Sequence, residues 1–478
     1  LKAVLYILKK LYRWQYIWLC LIVLATLVLH FVIIAKPTSL ILDEQHYVKE
    51  ARNIIENHDF VFREHPPLGK LFITAGEYIF SGFKSPVTDT GTTTQQAIID
   101  STDNVIDVSD ASVFSIGKTI KIDNEQMYVQ SVNTELNQLT VERGYIGTTA
   151  TSHTAQRTIY VFNDNPLGWR FFPIILGTGG IVLFYFICRK LNMSNRAASI
   201  ATFLLAFENM TFIQNSVAML DVFLFFFMMA AFLLYLTRKY FSAGIAAGLS
   251  ALSKLMGAMA VPAMIIHWFF SRVNRSRWFA VTVALSAITF VVLLPVLEYI
   301  VTHHFENPYD RMKDMLSLTS SLTFANTTHV SMAQPWWWVF WYKTMPYFYS
   351  PNYISAVSPS VFVLIVPAFA YMIYRAVKRD EAGLFGAAWF FSTYVLWIPL
   401  VLITDRITYP FYFYPTVGAV CLGAGMGISQ LIDIFKGRRS GKLKWTILGI
   451  IVVIFLAHIV FFMILYPLFP INLYEMFG

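Results

Sequence analysis

Long apolar runs dominate the chain, many close to the twenty residues that an α-helix needs to cross a bilayer core about 30 Å thick. They fall near 12–35, 168–188, 196–214, 217–237, 241–257, 258–271, 278–301, 357–375, 382–403, 409–433 and 445–468. The pattern predicts a polytopic α-helical membrane protein with about eleven transmembrane helices. Its weakest border is around Met256, where two short runs meet beside Gly257 and Pro262. If those two form one bent helix, every later segment changes sides. Two long polar segments, roughly 36–167 and 302–356, interrupt the apolar pattern. From about Ser85 to Asn163 the long runs vanish and Thr, Ser, Asp and Asn take over. Val105–Val108, Thr119–Ile122, Met127–Val129 and Leu139–Val141 alternate with period two between Asp-Asn and Arg-Gly turn signals. Such patches predict short strands, hence a small β-domain inserted in the first outer loop. The expected organisation is 1–85, first span and interfacial helices; 86–163, β-insert; 164–301, spans two to seven; 302–356, aromatic outer loop; 357–478, spans eight to eleven.

Composition agrees with the pattern. Of the 478 residues 56% are hydrophobic and only 13% charged, against about 25% charged in soluble proteins. An ordinary cytosolic enzyme is excluded. The net charge of +8 would suggest nucleic acid until its location is read. Lys2, Lys9, Lys10, Arg13, Arg189, Lys190, Arg196, Arg238, Lys239, Arg272, Arg275, Arg277, Arg375, Lys378, Arg379, Lys436, Arg438, Arg439, Lys442 and Lys444 all fall in loops of one phase. Basic residues gather in short cytoplasmic loops. The excess is therefore a topology signal, and no nucleic-acid partner is expected. It places the N-terminus inside and, with an odd count of spans, the C-terminus outside. The first run, without a cleavage site of small residues, reads as an anchor. Cys20, Cys188 and Cys421 lie inside apolar runs and give no disulfide framework.

Chemistry is expected where charge meets membrane. Leu42-Asp43-Glu44-Gln45-His46-Tyr47 follows the first span. Tyr47, Ala51, Ile54 and Ile55 recur at helical spacing, so 44–57 should be an amphipathic interfacial helix. Arg63-Glu64-His65-Pro66-Pro67-Leu68-Gly69-Lys70 opens a second amphipathic stripe through Leu71, Phe72, Ala75 and Ile79. An ordinary account of Asp43 is a helix cap, and of His65 a structural histidine. Arg170, Asp221, Lys254, Asp405 and Arg406 sit at the outer ends of apolar runs, Arg406 shortly before Tyr409–Pro415, which includes Tyr412. Ionisable groups in spans are costly and default to functional hypotheses; snorkelling to the interface is the alternative, least available to the short Asp221. Trp336, Trp337, Trp338 and Trp341 suit an interfacial aromatic belt, or a groove for a lipid tail or glycan.

These residues carry a family resemblance. Asp43-Glu44 after the first span, followed by His65-Pro66-Pro67-Leu68-Gly69-Lys70-Leu71, resembles the protein O-mannosyltransferases of the type-C glycosyltransferase fold. Gly168–Pro173, Asn215–Asp221 (with Ser216-Val217 in place of Ser-Arg), Gly248–Lys254, Pro335–Tyr349, and Arg406 with Tyr412–Pro415 resemble family stretches in the same order. Eukaryotic members carry a β-trefoil in the later outer loop; 302–356 is too short for one, and the β-insert is not part of the family pattern. Arg143–Thr149 weakly resembles motifs of small virion-type β-modules.

The resemblance implies a polyprenyl- or dolichyl-phosphate sugar donor, most simply mannose, attacked with inversion by a Ser or Thr hydroxyl of an acceptor protein. By matching position Asp43 is the base and Glu44 positions acceptor or helix. Arg170 is the first candidate for the donor phosphate, then Lys254 and Arg406; His65, Asp221 and Tyr412 complete the pocket. No metal is required, although a divalent cation at Asp43 or Glu44 stays open. Two alternatives remain: transfer of a lipid-linked sugar to a lipid or glycan, and a non-catalytic scaffold or transporter. A transporter would be expected to show related halves and facing broken helices, and no such repeat is evident. The insert, with His153 alone and no cysteine, is expected to recognise an acceptor or a membrane-protein partner. The setting implied is a prokaryotic cell membrane with the site on the extracytoplasmic face. On this topology an impermeant amine reagent added outside should leave Lys442 unmodified, and Asn326 in Asn326-Thr327-Thr328 should accept a glycan. Labelling of Lys442 from outside would overturn the orientation.

Overall fold

The computed structural model describes residues 16–145, 148–437 and 441–468. Lys2, Lys9, Lys10, Arg13, Arg438 and Arg439 lie outside the described residues, as do Ile146 and Gly147 of the Arg-Gly-Tyr motif and 12–15 of the first expected span. The chain divides into two compact units. One comprises residues 34–61 and 71–171, the other 1–33, 62–70 and 172–478.

The larger unit is helical. Among the described residues six helices are long and apolar enough to cross a membrane: Pro166–Lys190, Phe279–Thr302, Pro359–Val377, Glu381–Thr404, Pro410–Gly437 and Lys442–Leu465. Ile17–Ile33, Tyr240–Ser253 and Leu255–Phe270 are apolar but shorter. By length and composition the count among the described residues is six, or seven with one bent pair, and the eleven expected are not confirmed. The shortfall has local causes. The expected span 196–214 is two helices, Asn195–Ala206 and Asn209–Ser216. Glu208 stands at the break, and its buried carboxylate accepts from Met210 N and Thr211 N at 3.1 and 2.7 Å and from Ser358 N at 2.8 Å. Asn209–Ser216 then meets Leu220–Leu236 at a bend of 111°. The chain also breaks at Lys254, whose φ of −159° and ψ of 138° end the helix Tyr240–Ser253. The border assigned to Gly257 therefore lies three residues earlier.

We label Tyr240–Ser253 αA and Phe279–Thr302 αB. These two pack closely through Gly244 and Gly248, four residues apart on one face of αA. A Cβ on Gly244 would lie 2.7 Å from Thr282 O and from Leu285 Cβ; one on Gly248 would lie 2.6 Å from Thr289 Cβ. Small residues at this spacing let helix backbones approach where lipid removes the hydrophobic drive.

The smaller unit holds two short helices after the first apolar run, Glu44–Asn57 (α1) and Pro67–Phe80 (α2), the latter beginning in the other unit. It also holds a six-stranded antiparallel sheet: β1 (Val87–Thr93), β2 (Val105–Asp107), β3 (Thr119–Ile122), β4 (Glu125–Asn133), β5 (Gln138–Glu142) and β6 (Thr158–Phe162), in the order β1-β6-β3-β4-β5-β2. The four expected strands are β2 to β5; β1 and β6 carry too little alternation to be read. Period two decides the core: along β5 Leu139 and Val141 are buried while Gln138 and Thr140 are half-exposed. They join Ile106, Ile120, Ile122, Met127, Val129 and Ile159, each such side chain contributing about 1.5–3 kcal/mol. Asp123-Asn124 closes β3 on β4 as a two-residue turn, with Ile122 opposite Glu125 and Asp123 at φ 50°. Asp tolerates that conformation, which suits the strand twist.

If αA and αB are held by their glycines, Gly248→Ala should lower the thermal unfolding midpoint, with an overpacking cost of roughly 1–3 kcal/mol. Gly427→Ala, whose Cβ would meet only Tyr371 at 3.8 Å, should leave it unchanged. Equal behaviour of the two variants would show that the close approach is not limiting.

Candidate functional site

Each unit contains a cluster of the expected residues. In the smaller unit, α1 begins with Glu44, and Asp43 occupies its N-cap position without a capping hydrogen bond from its side chain. The capping hydrogen bond that the simple helix-cap account of Asp43 requires is therefore not made. Glu44 and Arg170 are fully buried and form a fork. Arg170 Nε donates to Glu44 Oε1 at 2.8 Å and Nη2 to Oε2 at 2.7 Å. The other guanidinium hydrogens reach the carbonyls of Ile34, Pro37 and Ser39 at 3.0, 2.8 and 3.2 Å. Ile41 N donates to Glu44 Oε2 at 3.1 Å.

This corrects the first assignment. All five hydrogens of a guanidinium have protein acceptors, so Arg170 clamps residues 34–44 rather than holding a phosphate. Glu44 is likewise spent on positioning. A divalent ion held by Glu44 would have to displace that guanidinium. Among the described residues no group of three or more His, Cys, Asp and Glu side chains could hold a metal.

A second network ties α1 to α2 and to the end of the insert. Arg52 Nε donates to Glu77 at 3.2 Å and Nη2 to Asp164 at 2.9 Å, all within this unit. Its guanidinium lies 4.6 Å from the centre of the Phe162 ring. Burial, only partly offset by Arg52, pushes Glu77 up from its ordinary value of 4.5 to about 7.

In the larger unit the helix breaks described above bring Asp221 and Lys254 together. Asp221 lies in the first turn of Leu220–Leu236, and Lys254 Nζ donates to its Oδ2 at 2.8 Å. Lys254 Nζ also lies 5.2 and 5.5 Å from the ring centres of Phe411 and Tyr412. His65, in the same unit, has its imidazole held well below the ordinary range by burial, then by the positive charges of Lys254, Lys70 and Arg406. It is neutral near pH 7. Arg406 donates through Nη1 to Thr319 O, and its Nε is buried with no hydrogen-bond partner among the described residues. The structure thus gathers His65, Asp221, Lys254, Arg406 and Tyr412 in one unit, and Asp43, Glu44 and Arg170 in the other.

Lys70 was missed as a candidate cation; it is buried, with Nζ donating to Phe62 O at 2.7 Å. Its place in the His-Pro-Pro-Leu-Gly-Lys run was the available signal. The tryptophan run divides as well. Trp338 is buried, donates from Nε1 to Ala333 O, and packs with Trp397 and Tyr412, while Trp337 and Trp341 are exposed. An aromatic belt therefore accounts for only part of it. His153 is not alone: its Nδ1 and Nε2 each lie 2.9 Å from a carboxylate, of Asp123 and Glu125. Glu125 also takes a two-pronged Arg143 at 2.7 and 2.9 Å. Burial opposes its ionisation, yet Arg143, Thr151 N, His153 and Gly144 N bring it down to about 2. This cluster staples the Arg-Gly turn to the sheet.

The Saccharomyces cerevisiae protein O-mannosyltransferase Pmt1-Pmt2 complex bound to the sugar donor is similar with a TM-score of 0.64, covering 95% of this chain and 90% of that one at 12% identity. The Archaeoglobus fulgidus oligosaccharyltransferase AglB, in complex with an inhibitory peptide and a dolichol-phosphate, follows at 0.51, covering 95% and 56% at 14% identity. At such identities the likeness is one of fold, and the fold is that of the type-C glycosyltransferases. The family model described as dolichyl-phosphate-mannose-protein mannosyltransferase matches residues 139–306, a segment with Arg170, Asp221 and Lys254. Over that segment the chain resembles that family. A polyprenol-phosphate-mannose–protein mannosyltransferase of Mycolicibacterium smegmatis is 36% identical over 73 residues, 15% of this chain; the match spans only 14% of that relative's length.

Two outcomes follow from the smaller unit. Removing one partner of a buried pair typically costs roughly 3–5 kcal/mol, so Glu44→Gln should clearly lower the unfolding midpoint. Arg170→Lys should fail to restore it, because one ammonium cannot serve five acceptor positions. A wild-type midpoint in both would show that the fork carries no stability. Glu77, with its pKa raised in the folded state, contributes stability that is full below about 4.5 and is lost as pH rises through about 7. Denaturant midpoints measured across that window should fall with pH, and Glu77→Gln should flatten the slope.

Proposed function

We propose that this protein is a membrane glycosyltransferase that moves a sugar, mannose by family, from a polyprenyl-phosphate donor to Ser or Thr hydroxyls of acceptor proteins on the extracytoplasmic face. The observation that carries this reading is the gathering of Lys70, Lys254 and Arg406 around a neutral His65, beside the aromatic rings of Phe411 and Tyr412. Several cations beside apolar rings suit a phosphate that is attached to a lipid chain. The family match over 139–306 supports the same donor class.

In this mechanism the Asp43 carboxylate takes the proton of the acceptor hydroxyl. The hydroxyl oxygen bonds to the anomeric carbon from the face opposite the phosphate, and the bond from that carbon to the phosphate oxygen breaks. The sugar leaves with inverted configuration, and polyprenyl phosphate carries away the electron pair. Lys254 and Arg406 hold the charge that develops on the phosphate, replacing Arg170 in that role. Asp221 orients Lys254 through the 2.8 Å contact. The fork of Glu44 and Arg170 fixes the start of α1 and so the direction of Asp43. Tyr412 walls the site, and His65, being uncharged, accepts or donates a single hydrogen bond there.

Transfer from a synthetic polyprenyl-phosphate mannose to a Ser/Thr peptide tests this. Asp43→Asn should lower turnover by about 10²–10⁴-fold with donor affinity little changed. Lys254→Ala should weaken donor binding by roughly 1.5–3 kcal/mol, the worth of one charge-assisted hydrogen bond. Near-normal turnover in Asp43→Asn would remove Asp43 as the base. A product on lipid or glycan in place of peptide would move the assignment to that acceptor class.

A further inference from the structure

We propose that a polar cleft between α1 and the β-insert is an acceptor subsite, holding the polypeptide about five to six residues away from the hydroxyl being modified. This rests on the transfer reading above. The cleft has a volume of about 350 Å³ and is lined by the second half of α1, with Arg52, Asn53 and Glu56, and by the β3–β4 hairpin, with Lys121, Asn124 and Gln126. That size falls within the range of about 300–1,000 Å³ common to ligand sites. All of these residues belong to the smaller unit.

The lining is chemically incomplete. Arg52 Nη1, Glu56 Oε1 and Gln126 Oε1 are buried and have no hydrogen-bond partner among the described residues. Buried polar groups are normally paired, so a chain that enters the cleft and parts its lining would meet one donor and two acceptors without partners. A peptide backbone, with Ser or Thr hydroxyls beside it, supplies both kinds. A phosphate or polyanion fits less well. Lys121 is already neutralised by Glu56 at 2.6 Å, and Arg52 by Glu77 and Asp164. A sugar ring fits less well too, because the Phe162 face that would receive it is covered by the Arg52 guanidinium at 4.6 Å.

Helix α1 supplies the ruler. The proposed base, Asp43, stands at its N-cap, and the cleft begins near Asn53 and Glu56 on the same helix. At 1.5 Å per residue the separation along the helix is about 15–20 Å. An extended polypeptide rising about 3.3 Å per residue covers that in five to six residues. The sheet is thereby given a task that the transfer chemistry leaves open, which is to read acceptor sequence at a distance.

The test uses the full-length protein and labelled peptides with one acceptor Thr, flanked by two or by eight Ser/Thr-rich residues on each side. Binding is read by fluorescence anisotropy without donor, and transfer is read separately with donor. Wild-type protein should bind the long peptide about tenfold more tightly than the short one. Gln126→Leu, which removes an acceptor, and Gln126→Trp, which fills the cleft, should erase that gain and leave transfer to the short peptide unchanged, which also reports correct folding. No length step in the wild type, or a step that persists in Gln126→Trp, overturns the subsite. Tighter binding of the same long peptide once mannosylated, lost in Gln126→Trp, overturns the peptide in favour of a glycan. A length step that responds to Gln126, together with no transfer to any peptide, upholds the cleft as a peptide site and sinks the transfer reading instead.

Discussion

The buried fork between Glu44 and Arg170 is the constraint on which the start of α1 depends. Residues 34–43 have little regular structure, and Ile34, Pro37 and Ser39 within them offer carbonyls to a side-chain donor. Arg170 answers three of those carbonyls and both oxygens of Glu44 at once. A lysine could not, and a hydrophobic pair of equal volume would leave the carbonyls orphaned. The direction of Asp43 is therefore set by a residue more than a hundred positions later in sequence. A group that must bind or react does so best when its geometry is settled beforehand, and at the start of α1 an ion pair settles it.

The larger unit solves a related problem by breaking helices. A lysine and an aspartate inside continuous apolar helices would sit in lipid at high cost. Ending Tyr240–Ser253 at an extended Lys254, and starting Leu220–Leu236 just before Asp221, turns both side chains toward each other. Exposed backbone at such breaks is tolerated only where protein or water meets it. Glu208 shows the same logic from the other side, since its carboxylate caps the helix that its own presence interrupts.

Much of this was legible in the chain. Apolar runs marked the helices, period two marked β2 to β5, and Asp43, Glu44 and the His-Pro-Pro run marked the starts of α1 and α2. The misreadings share a cause. An arginine at the edge of an apolar run looks the same whether it grips a ligand or three carbonyls, because sequence does not count hydrogen-bond partners. Arg170 was assigned to phosphate for that reason, and His153 was thought isolated because Asp123 and Glu125, 30 and 28 positions earlier, meet it only in the folded sheet. Helix breaks at Glu208 and Lys254 are invisible to a hydropathy window, which averages one charge away. β1 escaped notice because Thr-rich strands lack alternation, and Gly91 at φ 69° lies in its bulge.

The strand order has an evolutionary consequence. The first and last strands of the insert are neighbours, with Val87 opposite Phe162, so the sheet enters and leaves its host at one doorway. A module attached this way can be gained, lost or exchanged between lineages without redrawing the helical scaffold. What keeps it from swinging free is a pair of charged latches, Lys121 to Glu56 and Arg52 to Asp164. A lineage that swapped the sheet for another would have to reinvent those two contacts.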